Sequence, residues 1–333
     1  MIRPVCEGSW QARGGVRVWI PVPPFKVVLA EPRGFCAGVD RAIDIVERAL
    51  EKFGAPIYVR HEIVHNRHVV EKLRKKGAVF VEELRDVPRG AVVIFSAHGV
   101  SRAVVDEAKE RRLRAIDATC PLVTKVHREA DSMVDRGRHI VLIGHAGHPE
   151  VEGTLGQVPK GTMTLVETVA DVEKLDLDPA AEISLVTQTT LSMDDTAQIV
   201  AALRRKYPKI EEPKQEDICY ATQNRQNAVK SLVQKCDVIL VLGAPNSSNS
   251  NRLVEVARQA GCRSHLLQSA SDLDPKWLEG ARAVGVTAGA SAPEELVREL
   301  LSALESKGAR GIETLKVAEE RVQFSLPREL AAP

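Results

Sequence analysis

One arrangement of residues recurs three times along the chain and restricts what it can fold into. A cysteine is followed by a helix-like apolar pattern, then by a short apolar strand that ends in a polar loop. Cys36 precedes Val39, Ile43, Val46 and Leu50; Cys120 precedes Pro121, Val123, Val126, Ala130 and Met133; Cys219 precedes Ala228, Val229, Leu232 and Val233. These spacings belong to one helical face rather than to a strand, and Pro121 suits a first helical position. The strands IYVR, HIVLIG and VILVLG come next and end in the loops HEIVHN, HAGHPE and APNSSNSN. Each repeat continues with a helix and a second strand (AVFVE, MTLVE, SHLLQ). A third strand with its own polar loop follows (VVIFSAHGVS, ISLVTQTTLS, AVGVTAGAS), and the closing helices are expected over 104–111, 196–207 and 293–304.

Strands alternating with helices predict parallel sheets built from βαβ units. Such sheets take ligands beyond the carboxyl ends of their strands, where all six polar loops lie. The expected fold is α/β, with three similar small domains carrying parallel sheets. Packed as a pseudo-threefold trefoil, they would bring three cysteines and six loops to a central cavity. Residues 36–119 form the first expected domain, 120–218 the second, and 26–35 with 219–307 the third. Residues 1–25 are expected to be a disordered N-terminal extension and 308–333 a C-terminal tail.

Several function classes are disfavoured at the outset. A formal net charge of +1 leaves no electrostatic footprint for nucleic acid or an anionic membrane. An aromatic content of 4% weakens any base-stacking role. No apolar run approaches the roughly 20 residues needed to span a bilayer, and the first residues lack the apolar core of a secretory signal. A cytoplasmic location is therefore expected, and six cysteines in a reducing compartment are buried, catalytic or metal-bound rather than a disulfide scaffold.

The three repeat cysteines head helices, where the helix dipole and free N–H groups lower a thiol pKa. A single cysteine so placed is most simply a small buried hydrophobe; three at equivalent positions make that reading much weaker. Cys236 is expected to be packed before its strand, Cys262 to be incidental in a turn, and Cys6 falls in the N-terminal extension. Three thiolates leave one metal position open, on zinc as a catalytic site or on a four-iron cluster as an iron free to act as a Lewis acid. Cysteine spacing does not separate the two. The loops add His65, His98, His145 and His148, with Ser247, Ser248, Asn249, Ser250, Asn251 and Ser291. Hydroxyls, amides and helix N-terminal N–H groups together hold phosphate oxygens, whereas an ordinary capped turn explains NSSNSN equally simply. No GxxxxGK[ST] and no GxGxxG after a strand supports a nucleotide site. Glu150, two residues after His148, suits a proton source, with helix capping as the simpler alternative.

The segments PRGFCAGVDRAI, YVRHEIVHN, FSAHGVS, DATCPLVTKVH, IGHAGHPEVEGT, TQTTLS, DICYATQNRQ, NSSNSNRL and GVTAGASAPE resemble the LytB-type iron–sulfur reductases, the 4-hydroxy-3-methylbut-2-enyl diphosphate reductase family. The resemblance runs from about Lys26 to about Pro327. It implies a trefoil of three α/β domains around a [4Fe-4S] cluster bound by Cys36, Cys120 and Cys219, with one iron open to the substrate hydroxyl. It further implies that His65, His98, His148, Thr189, Ser247, Ser248, Asn249 and Ser291 bind the substrate, mostly at its diphosphate. Glu150 would deliver protons, with Thr189 in the relay. The implied reaction is reductive dehydroxylation of the allylic diphosphate to isopentenyl and dimethylallyl diphosphates, last in the non-mevalonate isoprenoid pathway. Electrons would come from a ferredoxin or flavodoxin-type donor. The family begins near KVVLAEP, so the first 25 residues are a departure; the tail would fold back over the domains. The competing readings are a hydrolase with a three-cysteine zinc site and a non-enzymatic iron–sulfur redox sensor.

Overall fold

The computed structural model describes residues 8–13, 16–21, 24–178 and 181–330. Strands β1 (Gly8–Arg13) and β2 (Val16–Pro21) pair antiparallel, Arg13 opposite Val16. The sequence reading expected no regular structure there. A Gly-Gly pair between alternating residues is the composition that a two-residue hairpin connection favours. Residues 1–7, 14–15 and 22–23, Cys6 included, lie outside the described set, and Phe25 opens the next strand.

The chain then runs through β3 (Phe25–Glu31), Cys36, α1 (Ala37–Phe53), β4 (Ile57–Arg60), α2 (Arg67–Lys75), β5 (Ala78–Val81), β6 (Val92–Phe95), α3 (Arg102–Glu110) and β7 (Arg114–Asp117). After Cys120 come α4 (Pro121–Asp135), β8 (His139–Ile143), α5 (Pro149–Leu155), β9 (Met163–Val166), α6 (Val169–Lys174), β10 (Ile183–Thr187) and α7 (Met193–Lys206). After Cys219 come α8 (Tyr220–Val233), β11 (Val238–Leu242), α9 (Ser248–Gln259), β12 (Arg263–Leu267), β13 (Ala283–Ala288), α10 (Glu294–Ser306) and β14 (Ala309–Lys316).

Three parallel sheets result, with orders β5-β4-β6-β7, β9-β8-β10 and β12-β11-β13-β3-β14. In each, the first strand of the repeat sits between the second and the third. The connections leave that central pair in opposite directions, so β4/β6, β8/β10 and β11/β13 are switch points, where open α/β sheets form ligand crevices. The polar loops singled out in the sequence follow these six strands. A fourth strand adds beside the third: β7 beside β6, β3 beside β13, and in the middle sheet only a parallel bridge between Ser184 and Glu211. Each repeat cysteine follows one of these fourth positions. The α/β class with three parallel sheets is therefore as expected.

The strands are buried because helices cover both faces of a parallel sheet. Every residue of β10, β11 and β13 is buried. The predicted face of α4, Val123, Val126, Ala130 and Met133, is the buried one. In α1 the buried face is centred on Ala42, Ile45, Val46 and Ala49, and Ile43 and Leu50 are only half-buried. The small alanines let that helix pack close, which an apolar-only count passes over. Ala309–Lys316 is not free tail but an edge strand parallel to β3. By contacts the chain divides into two compact units. One comprises Cys36–Gln223 with Arg321–Pro333 and holds the sheets of β4 and β8; the other comprises Met1–Phe35 with Asn224–Glu320 and holds the sheet of β11. Among the described residues no helix is long and apolar enough to cross a membrane.

Candidate active site

The three repeat cysteines share one local geometry. Each is the residue before its helix, and its carbonyl accepts the first helical hydrogen bond: from Asp40 N–H to Cys36 (3.0 Å), Thr124 N–H to Cys120 (2.9 Å) and Gln223 N–H to Cys219 (3.0 Å). The Cys219 sulfur takes the role of a capping oxygen, accepting from the Thr222 N–H at 3.4 Å and facing the Thr222 hydroxyl at 3.1 Å. Backbone bonds pin two of them to the loops after the third strands, Cys120 N–H to Ala97 C=O and Cys219 N–H to Thr189 C=O, both at 3.0 Å.

All three belong to one compact unit, and their sulfurs approach one another. A Cβ added to Gly38 would lie 2.8 Å from the Cys120 sulfur and 3.9 Å from the Cys36 sulfur, so both sit around one point in the first turn of α1. The helix-end expectation of lowered thiol pKa values is reversed. Burial pushes Cys120 up to about 12 and Cys219 up to about 11, and the neighbouring cysteines raise both further, outweighing N–H donors from Leu122, Val123 and Thr222. Half-buried thiols with raised pKa values give up their protons most readily to a strongly positive partner. Among the described residues no three His, Cys, Asp or Glu side chains gather as a ready-made site for a single ion.

Gly38 permits this crowding. Gly38→Ala should raise helix propensity by about 1 kcal/mol yet push the Cys120 sulfur aside. The expected result is a metal-free protein at least as stable as wild type in thermal melts, with metal affinity reduced about tenfold or more. Equal iron content in the two proteins would show that the space at Gly38 is not needed.

Two carboxyls of this unit have strongly raised pKa values, Asp217, two residues before Cys219, at about 6 and Glu150 at about 7. Glu150 is 4% exposed and sits in the first turn of α5, after His148 and Pro149. Its carboxylate does not cap that helix. It accepts from the Thr189 N–H at 2.6 Å and the Thr189 hydroxyl at 3.0 Å. Burial pushes its pKa up to about 7 against these two bonds. Gln188, not singled out in the sequence, braces the same switch point: its carbonyl accepts from His145 N–H at 3.0 Å and its amide donates to the Thr190 hydroxyl at 3.0 Å. An amide side chain directly after the strand ISLVT was the available signal.

His65, His98 and His148, from the loops after β4, β6 and β8, form a three-ring cluster. His65 stacks on His98 with centroids 4.1 Å apart, and His148 meets them edge-on at 5.6 and 5.9 Å. Burial and the neighbouring imidazoles hold His98 well below its usual pKa and His148 at about 4, so both are neutral at pH 7. His148 Nδ1 accepts from the Glu150 N–H at 3.1 Å, which leaves the ring proton on Nε2. His145 stands apart, facing Glu167 at 3.4 Å.

Ser247, Ser248, Asn249 and Ser291 belong to the other unit. The NSSNSN stretch is mostly helix rather than loop, because Ser247 caps α9 by accepting from the Ser250 N–H. Asn249 Oδ1 accepts from the Ala290 N–H at 3.4 Å, joining α9 to the loop that carries Ser291. Asn249 Nδ2 is buried with no hydrogen-bond partner among the described residues, a donor free for a ligand oxygen. In the same unit Cys236 is half-buried and Cys262 is buried.

Residues 27–305 match the family model described as LytB protein. The chain belongs to the LytB family. A LytB relative from Burkholderia mallei, named 4-hydroxy-3-methylbut-2-enyl diphosphate reductase 2, is 60% identical over 92% of this chain and 93% of its own length. One from Phenylobacterium zucineum with the same enzyme name is 60% identical over 93% and 98%. Among solved structures, the E-1-hydroxy-2-methyl-but-2-enyl-4-diphosphate reductase of Plasmodium falciparum superposes with a TM-score of 0.90 at 41% identity, covering 92% of this chain and 97% of that one.

Proposed function

We propose that this LytB-family chain reduces (E)-4-hydroxy-3-methylbut-2-enyl diphosphate to isopentenyl diphosphate and dimethylallyl diphosphate, the last step of the non-mevalonate isoprenoid route. The reading rests on one juxtaposition: half-buried helix-head cysteines beside a buried carboxyl group with a pKa near neutrality. Cys219 is bonded through its N–H to Thr189, which is bonded twice to Glu150. Cys36, Cys120 and Cys219 would hold a [4Fe-4S] cluster, which when bound supplies electrons one at a time and one iron without a protein ligand. A ferredoxin or flavodoxin-type protein is the proposed electron source.

The chain's own residues bind, orient and move protons. The neutral imidazoles of His98 and His148 present N–H donors to diphosphate oxygens. Ser247, Ser248, Asn249 and Ser291 are proposed, from the family resemblance, to add hydroxyl and amide donors for the substrate. With a pKa of about 7, half of Glu150 carries a proton at neutrality. Protonated Glu150 donates to Thr189 Oγ1, whose own hydrogen is then released to the departing hydroxyl. One proton enters at the carboxyl and one leaves at Thr189, so the relay conserves both groups. A sensor would have no use for such a relay.

Anaerobic purification tests the reading. Expected are a brown protein with broad absorption near roughly 400 nm, matching iron and sulfide contents, and turnover of the allylic diphosphate with a strong reductant. A colourless protein with stoichiometric zinc would overturn it. Two further outcomes follow from the histidines. His98→Ala should raise KM by about tenfold or more, the value of a hydrogen bond to a charged group, with a smaller change in kcat. Because His98 and His148 are neutral when free, an arriving dianion raises their pKa values. Ligand binding near pH 6 should therefore take up protons, read as a buffer-dependent enthalpy in calorimetry; a buffer-independent enthalpy would remove these histidines from the diphosphate site.

A further inference from the structure

A cation recurs one turn and a half into each cysteine-headed helix, and each is spent on backbone carbonyls just ahead of another repeat cysteine. Arg41, in the helix after Cys36, donates to the carbonyls of Ala118 (3.3 Å) and Thr119 (3.1 Å), the two residues before Cys120. Lys125, in the helix after Cys120, donates to Gln215 C=O (2.7 Å) and Glu216 C=O (3.4 Å) and to the Asp217 carboxylate (2.7 Å), in the segment that ends at Cys219. Arg225, in the helix after Cys219, donates to Gly34 C=O (2.7 Å) and Phe35 C=O (3.2 Å), the two residues before Cys36. Each has a carboxylate at hand: Asp117 beside Arg41, Asp217 on Lys125, Glu320 on Arg225 at 3.0 Å. The Arg225 side chain is wholly buried and the Asp217 side chain has no exposure.

Arg225 is buried and Lys125 and Arg41 are partly so; burying a cation costs desolvation, and replacing buried ion pairs by apolar groups is often neutral for stability. Fold stability alone therefore does not account for the same device appearing once per repeat. The three contacts share a different result: each links one cysteine's helix to the approach of the next, and so fixes where the sulfurs point. We propose that Arg41, Lys125 and Arg225 are positioning residues for the three cysteines, setting sulfur geometry and placing positive charge behind it. The proposal rests on the cluster reading above. A cation near a group that gains an electron stabilises its reduced state, so each also raises the potential at which that group is reduced.

The test uses the full chain purified without oxygen, as wild type, Arg41→Met, Lys125→Met, Arg41→Lys and Lys125→Arg. The methionine variants should release iron to a chelator about 10–100-fold faster, the usual cost of removing a partner behind a metal ligand. They should also show a more negative reduction potential and an altered electron-spin-resonance spectrum. The charge-conserving variants should recover most of both. KM should stay near wild type, because the histidine cluster is untouched, while kcat falls. Methionine variants with wild-type iron release and potential would overturn the proposal. So would variants that lose thermal stability while their folded fraction keeps the wild-type spectrum and potential, since that is a structural role only. A wild-type protein with no iron–sulfur absorption would defeat the proposed function itself, and this inference with it; a normal wild type with unaltered variants defeats the inference alone.

Discussion

Glu150→Gln should lower kcat by about 10²–10⁴-fold, the range of a lost general acid, while leaving iron content, colour and KM close to wild type. The substitution is nearly isosteric. A glutamine carbonyl still accepts the Thr189 N–H, and its amide can donate to Thr189 Oγ1 by rotation of that hydroxyl, so both observed bonds persist in altered polarity. What disappears is the transferable proton. In the wild type kcat should fall as pH rises through about 7, where the carboxyl is deprotonated, and that limb should be absent in the variant. Stability supplies an independent check. Glu150 titrates at about 7 folded against 4.5 when unperturbed. Between those values the folded chain holds a proton the unfolded chain has lost, so this group's contribution is full below pH 4.5 and declines as pH rises through 7. The variant should gain on wild type across that window by at most about 1.4 kcal/mol per pH unit, then hold a constant advantage. Wild-type turnover, or parallel pH–stability curves, would remove Glu150 from proton delivery.

Cys120→Ser should lose most of its iron and all but a trace of activity. A serine hydroxyl keeps the side-chain shape, though smaller and a stronger hydrogen-bonding group, and is a far poorer iron ligand. The surroundings change little. The Cys120 carbonyl and N–H bonds to Thr124 and Ala97 are backbone bonds, and Pro121 still opens the helix. The metal-free variant should therefore melt within about 1 kcal/mol of metal-free wild type, as small isosteric changes do. The same buried thiol, pushed up to about 12 by burial and its sulfur neighbours, should react sluggishly with alkylating agents in the metal-free protein at pH 8. Normal iron content in Cys120→Ser would exclude this sulfur from the ligand set. Fast alkylation would show that the cavity is more open than the structure describes.

Much of this was readable along the chain, for a definite reason. Parallel sheets under two layers of helix demand uninterrupted apolar strands, as in HIVLI and VILVL, and their carboxyl ends must turn polar where the chain leaves the core. His65, His98 and His148 could be placed at strand ends from that change of composition alone, whereas Thr189 was singled out only through the family resemblance. Weak or short elements were not so readable. RAID in β7 carries one buried residue among four, and β14 is largely exposed, so neither has the apolar signature of a strand; both exist because a neighbouring strand offers its edge. The thiol pKa values were misjudged because a helix end is a local feature, whereas burial and sulfur–sulfur repulsion arise from elements distant in the chain.

By itself the sequence determined the α/β class, the threefold recurrence and the residue types at the strand ends, all of which follow from local periodicity and the chemistry of individual side chains. Only the tertiary structure decided that the Glu150 carboxylate bonds Thr189 and not its own helix, that two imidazoles stack with a third edge-on to both, and that Arg41, Lys125 and Arg225 hold carbonyls far away in the chain. Those contacts join residues separated by tens to nearly two hundred positions, and no local pattern encodes which distant partner a buried polar group will find once the core excludes water.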